Sequence, residues 1–145
     1  MKKRQETKVF RPHERGIRKV LGDLEADIME VVWSHGPGAR LPVREVHEAL
    51  HASRGTAYTT VMTVMGVLAK KGLLRVDKGG FAHLYEARQT REDFTRAVVG
   101  EIVEQLLHDF AEPTLAHFAA KVEAADPEQL ARLETLIAER RRQER

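Results

Sequence analysis

The chain has no cysteine. Disulfide scaffolds, thiolate zinc sites, thiol catalysis and cysteine redox sensing are therefore excluded. It also lacks any run of about 18 apolar residues, the least that a membrane-spanning helix needs. Its basic N-terminus carries no apolar stretch of the kind a secretory signal requires. The expected location is the cytoplasm, with no membrane contact. Acidic residues are missing in one telling place, since none occurs between Glu48 and Asp77.

What is present fits one domain, or one small domain with an appendage: 145 residues, 42% hydrophobic and 32% charged. The net charge of +2 hides a segregation. Residues 1–20 hold 8 Lys/Arg against 2 acids, and residues 21–35 hold 4 acids and no Lys or Arg. Residues 36–91 hold 9 bases against 4 acids, and residues 92–145 hold 7 against 12. A basic front interrupted by one acidic helix, with an acidic tail behind it, reads as a polyanion-binding module joined to something else.

Residues 1–20 have little apolar content and read as a basic flexible arm. Asp23 then opens a helix whose stripe is Leu24, Ile28, Val31 and Val32. Its acids Asp23, Glu25, Asp27 and Glu30 lie outside that stripe and are expected to face away from a polyanion. Trp33 is expected in the core. Leu41-Pro42 forms a short strand, and Val43, Val46 and Leu50 give a second helix from about 43 to 52 its apolar face. After the turn Arg54-Gly55 comes the stretch 56–72, with Val61, Val64, Met65 and Leu68 at helical spacing. Thr56 is expected to cap this helix and Gly72 to stop it. The opposite face carries Tyr58, Thr59, Thr60, Thr63 and Gly66, with Lys70 and Lys71 at the end. A small, acid-free face suits the major groove of DNA. Leu73–Asp77 and Phe81–Tyr85 flank Lys78-Gly79-Gly80 as a β-hairpin, with Lys78 at its tip and Arg75 on its flank. Three helices and a hairpin in this order make a winged helix-turn-helix over residues 21–88.

From Thr90 the chain becomes helical throughout. Thr90 with Asp93 reads as a capping box, and the helix continues through Phe94, Val98, Ile102 and Leu106. Pro113 restarts the chain for a short helix with Leu115, Phe118 and Val122. Asp126-Pro127 opens a third, with Leu130, Leu133, Leu136 and Ile137 as its stripe. Three amphipathic helices over residues 89–145 cannot bury all their apolar faces within themselves. These ten positions, Val122 set aside, are accordingly expected at a dimer interface. The expected fold class is mainly α with a small β-hairpin.

Three stretches carry a family resemblance: Leu21–Trp33, Val43-Arg-Glu-Val-His-Glu-Ala-Leu50, and Ala57-Tyr-Thr-Thr-Val-Met-Thr-Val continuing through Leu68-Ala-Lys-Lys-Gly72. The chain resembles the BlaI/MecI/CopY penicillinase-repressor family of bacterial transcription factors, loosely as far as about residue 138. The resemblance implies a dimeric winged-helix repressor on a dyad-symmetric operator in double-stranded DNA, bound through the helix 56–71 and a basic wing. It implies DNA contacts from Tyr58, Thr59, Thr60 and Thr63, with Lys70, Lys71 and Lys78 at phosphates; Thr56 and Arg75 complete the candidate set. For the β-lactam-responsive branch it implies a membrane-bound sensor protease as partner.

Two features depart from the family. Many relatives carry a charged or polar pair, usually with an arginine, where this chain has Gly66-Val67. Bidentate base reading by arginine is unavailable there, and discrimination falls to threonines, thymine methyls and DNA shape. The protease-sensitive Asn-Phe bond of the β-lactam-responsive branch has its nearest match in His117-Phe118, which is the candidate inactivating cleavage site. Without cysteines, copper sensing through thiolates is excluded.

Two competing readings remain. His47-Glu48-Ala49-Leu50-His51 spells H-E-x-x-H, the zinc-binding helix of many metalloproteases. A catalytic zinc needs a third protein ligand; His83 on the hairpin is a possible one, but nothing argues that it lies nearby, and an ordinary half-exposed helix is the plainer reading. No enzyme activity, metal or cofactor is expected. The other reading is a winged helix used for protein contact without sequence-specific DNA binding.

Overall fold

The computed structural model describes residues 10–145, without the side chains of Glu123 and Ala125. Residues 1–9 of the expected arm lie outside that range. Residues 10–20 do not hang free. The Arg11 amide donates to the Lys19 carbonyl (2.7 Å) and the Arg11 guanidinium to the Arg18 carbonyl (2.9 Å), closing a loop around one 3-10 turn, Gly16–Lys19. Val20 and Leu21 anchor the loop by burial. The expected arm is thus corrected over this half: Arg11 and Lys19 are bound by carbonyls of the same loop, and Arg18 by the acids of α1.

Helix α1 (Asp23–Ser34) starts where the Glu25 carboxylate accepts the Gly22 amide at 3.2 Å. Ala26, Ile28, Met29 and Val32 are buried, while Trp33 is half-buried and sends its indole N–H to the Gln89 carbonyl at 3.0 Å. Strand β1 (Arg40–Pro42) leads into α2 (Val43–Arg54), whose Val43, Val46 and Leu50 enter the core. Gly55 ends α2 at φ +60°, a conformation that costs a side-chain-bearing residue 1–2 kcal/mol on the order of magnitude. Its amide returns to the His51 carbonyl at 2.9 Å, so the turn into α3 (Tyr58–Lys70) is tight.

Val61, Met65 and Leu68 of α3 are completely buried, and Val64 is half-buried. Gly72, at φ +83°, lets Leu73 close back on the Leu68 carbonyl and end the helix. Strands β2 (Leu74–Asp77) and β3 (Leu84–Ala87) follow. The antiparallel sheet has the order β1-β3-β2, so β3 is central and Tyr85 lies between Leu41 and Val76. The second strand therefore begins three residues later than the hairpin pattern predicts. The Asp77 carboxylate accepts the Gly79 amide at 2.9 Å, which turns the chain out of the ladder. Pairing on both edges then draws in 84–87, leaving residues 78–83 as the wing loop.

The chain divides into two compact units, the first ending at Val98 and the second spanning Val99–Arg145. The boundary falls ten residues beyond the expected one at 88. Phe94 packs on Trp33 with ring centroids 5.5 Å apart, and Phe94 and Val98 are both buried. Their expected place at a dimer interface is therefore corrected: the winged helix of the same chain already covers them.

Helix α4 (Arg91–Ala125) begins with the Thr90 hydroxyl accepting the Asp93 amide at 3.1 Å, and it is interrupted at Phe110, φ −137° and ψ 48°. Pro113 explains the break, because its ring crowds the carbonyl four residues back and it offers no N–H. The Thr114 hydroxyl donates to the Leu106 carbonyl at 3.4 Å, across eight positions that a straight helix would hold about 12 Å apart. Helix α5 (Pro127–Gln143) is capped by Asp126, whose carboxylate accepts the Glu128 amide at 2.9 Å.

Candidate nucleic-acid interface

The acids of α1 account for much of the charge segregation. Asp23 pairs with Arg18 at 3.0 Å, and Asp27 pairs with both Arg18 and Arg54. Glu30 pairs with Arg91, and Glu25 with Lys71 at 2.5 Å. One acidic helix thus ties down the preceding loop and the ends of α2, α3 and α4, which explains why it sits between basic segments. Hydrogen bonds to Asp27 and Asp23 raise the Arg18 pKa further above its ordinary value.

This web removes one residue from the expected set. Lys71 and Glu25 each have side chains only 12% exposed, so the Lys71 ammonium is spent inside the chain and cannot meet a phosphate without abandoning its partner. The expected cap of α3 by Thr56 is corrected as well. The N-cap of α3 is Ala57 and makes no side-chain cap. Thr56 instead presents its carbonyl to His47, whose Nε2–H donates at 2.9 Å.

The remaining candidates on α3, β2 and the wing loop are exposed. Tyr58, Thr59, Thr60 and Thr63 are exposed along α3, with Met62 between them and Lys70 at its end. Arg75 and Lys78 are exposed on β2 and the wing loop. Among the described residues Lys70, Arg75 and Lys78 form no ion pair, in contrast to Lys71, Arg18, Arg54 and Arg91. The wing acids are partly neutralised, because Arg40 lies 3.4 Å from Asp77 and 3.7 Å from Glu86. The Thr63 hydroxyl donates to the Thr59 carbonyl at 2.9 Å, which restricts its side chain.

His47, half-buried on α2, has a structural role that its H-E-x-x-H spelling does not announce. Its ring meets Tyr58 edge-on at 5.7 Å and lies 5.3 Å from the His51 ring. With Nε2–H committed to Thr56, it braces the turn and the first residue of the α3 face together. Tyr85 stands behind them, its phenol pushed above its ordinary pKa by burial and then by the neighbouring Tyr58. Among the described residues no group of three His, Asp or Glu side chains is arranged to hold a metal ion.

A profile of the penicillinase repressor family matches residues 21–139. The chain belongs to the penicillinase repressor family. The transcriptional regulator BlaI of Mycobacterium tuberculosis is 37% identical over 113 residues, which span 77% of this chain and 80% of its own. Among solved structures, the DNA-binding domain of the repressor BlaI is 26% identical with a TM-score of 0.44, covering 55% of this chain and 93% of that one. A complex structure of hsRosR-S1 is 18% identical at a TM-score of 0.45, covering 90% and 100%. The winged-helix assignment follows from this chain's own element order and strand pairing. Penicillinase repressors are transcriptional regulators and not enzymes, so the H-E-x-x-H spelling of α2 is structural.

In the second unit Leu106, Phe110, Leu115, Phe118, Leu136 and Ile137 are exposed, while Ile102, Leu130 and Leu133 are half-buried. His117 and Phe118 lie within α4, beyond the break at Phe110. Among the described residues no helix is long and apolar enough to cross a membrane.

Proposed function

We propose that this chain is a homodimeric repressor that binds a dyad-symmetric operator in double-stranded DNA. Helix α3 enters the major groove and the wing follows the adjacent backbone. The observation that carries this reading is the division of cations within one domain. Among the described residues Arg18, Arg54, Lys71 and Arg91 are paired with acids of α1, while Lys70 on α3, Arg75 on β2 and Lys78 on the wing loop are exposed and form no ion pair, as is also true of Arg15 and Arg88 elsewhere in the unit. Exposed cations on α3 and the wing, together with an acid-free helix face, match a groove edged by phosphates. The 37% identity to a transcriptional regulator supports the same role.

Base discrimination falls to Tyr58, Thr59, Thr60 and Thr63, since Gly66 and Val67 offer no donor. Threonine methyls suit the C5 methyl of thymine, and a threonine hydroxyl can donate or accept at a base edge. Two copies are required because one helix reads too few bases for an operator, and the exposed apolar positions of the second unit provide the contact. Cleavage at His117-Phe118 by a membrane-bound sensor protease would sever α4 inside that contact and relieve repression. Because the bond lies in a helix, the cut requires local unfolding there.

Selection of bound duplexes from a random pool, followed by footprinting, tests the proposal. Two protected half-sites related by a dyad, about one helical turn or a multiple apart, are expected. A single unsymmetric footprint would exclude the dimeric mode, and no enrichment would exclude sequence-specific binding.

A further inference from the structure

The wing loop holds a side chain that neither fold nor phosphate binding explains. Phe81 is wholly exposed, the most exposed large apolar side chain among the described residues. It stands at the end of Lys78-Gly79-Gly80-Phe81, where two glycines precede it and Ala82 follows, so no bulky neighbour flanks it. Leaving a phenyl ring in water forgoes the stabilisation that burial would return. Lys78, unpaired, lies three residues before it, and exposed His83 lies two after. The one acid of the loop base, Asp77, is exposed, accepts the Gly79 amide and is faced by Arg40 at 3.4 Å.

The tip is therefore apolar at its end, with a basic residue behind it and its nearest acid partly neutralised by Arg40. The minor groove of DNA, about 6 Å wide, admits a loop of this kind and excludes a helix. Phenylalanine is among the residues that proteins insert there between base steps. We infer that Phe81 is a minor-groove wedge: it enters beside the half-site read by α3 and partly unstacks one base step, with Lys78 on the flanking phosphate. The inference rests on the DNA-binding reading above. It adds a second specificity element, because pyrimidine–purine steps unstack at least cost. Such steps at the wing position are favoured although no hydrogen bond reads them.

The test compares wild type, Phe81→Ala and Phe81→Leu as full chains on the duplex that wild type enriches from a random pool. End-to-end bending is followed by energy transfer, and stacking by 2-aminopurine placed at the wing step. Phe81→Ala should weaken binding roughly tenfold, as loss of one aromatic–base contact does. It should also abolish the 2-aminopurine signal and reduce the bend, with the salt slope unchanged. Phe81→Leu, still an apolar wedge, should retain part of both. Equal affinity and equal 2-aminopurine signal for wild type and Phe81→Ala would overturn the wedge and leave the DNA-binding reading standing. Loss of self-association in Phe81→Ala, with those signals unchanged, would make the tip a protein contact and also overturn it. Failure of wild type to enrich any duplex would overturn both. Because Phe81 touches nothing in the fold, unchanged thermal stability shows that each variant is intact.

Discussion

The Lys71 ammonium lies 2.5 Å from the Glu25 carboxylate, joining the last turn of α3 to the first turn of α1. The neighbouring Lys70 is exposed and has no such partner. Two adjacent lysines of one motif therefore do different work, and substitution separates them. Lys71→Ala leaves Glu25 nearly buried without its partner and should cost about 2–4 kcal/mol of stability. It should leave the salt dependence of DNA binding as in wild type. Lys70→Ala should leave the melting temperature unchanged and reduce the salt slope by about one unit. Thermal melts beside binding titrations decide the matter; the reverse pattern would make Lys71 the phosphate contact.

The brace from His47 to Thr56 gives a second prediction. Removing a partly buried hydrogen bond costs about 0.5–1.5 kcal/mol, and His47→Ala should lower stability by that much. Affinity should fall more, because the start of α3 and the Tyr58 ring lose their support. His47→Gln, whose side-chain amide can donate to the same carbonyl, should recover most of the loss. If affinity were unaffected in His47→Ala, the brace would be a matter of folding alone.

Much of this was legible in the residues, and the exceptions have physical reasons. The helices and the order of the wing follow from period and turn chemistry, and Val46, Leu50, Val61, Met65 and Leu68 fall in the core as their spacing requires, whereas on α1 Ala26 and Met29 are buried and the expected Leu24 and Val31 are half-buried. The role of Lys71 was not legible, because its partner lies 46 positions away and only packing brings them together. Nor could period alone show that Phe94 and Val98 meet Trp33 and its surroundings in their own chain, since an apolar stripe does not name what it faces. The start of β3 depends on pairing with β1 as well as β2, and a hairpin pattern contains only one of those edges. On the candidate interface, exposure was legible and availability was not: ion pairs sort the cations into spent and free.

The burial difference along α4 and α5 separates folding from association. Phe94→Ala, at a position 3% exposed, should destabilise the first unit by about 3–5 kcal/mol. Leu106→Asp and Leu136→Asp alter exposed positions, 42% and 45%, and should leave each chain folded while converting dimers to monomers. Operator affinity should then fall, because the second half-site is no longer bound within one assembly. Light scattering with circular dichroism reads both effects. A wild type that is monomeric at every concentration would exclude the dimer, and unchanged mass in both aspartate variants would move the interface elsewhere.

Base reading and phosphate binding should separate by residue. Thr59→Ala should shift the preferred site, changing the preference for one base pair by about 1–3 kcal/mol. Lys78→Ala should weaken binding to all duplexes alike. Binding arrays on single-base variants of the selected duplex measure both. A sequence-selective loss from Lys78→Ala would give the wing lysine a base contact in place of a phosphate.

The central claim is that α3 and the wing form a phosphate-edged DNA interface, and its most direct test is affinity for the selected duplex against salt. With about 6–10 phosphate contacts per dimer, the affinity of the full chain should fall by roughly 10³–10⁵ between about 50 and 200 mM salt. Lys70→Ala and Lys78→Ala should each make that fall shallower. A flat salt dependence in wild type would contradict the account.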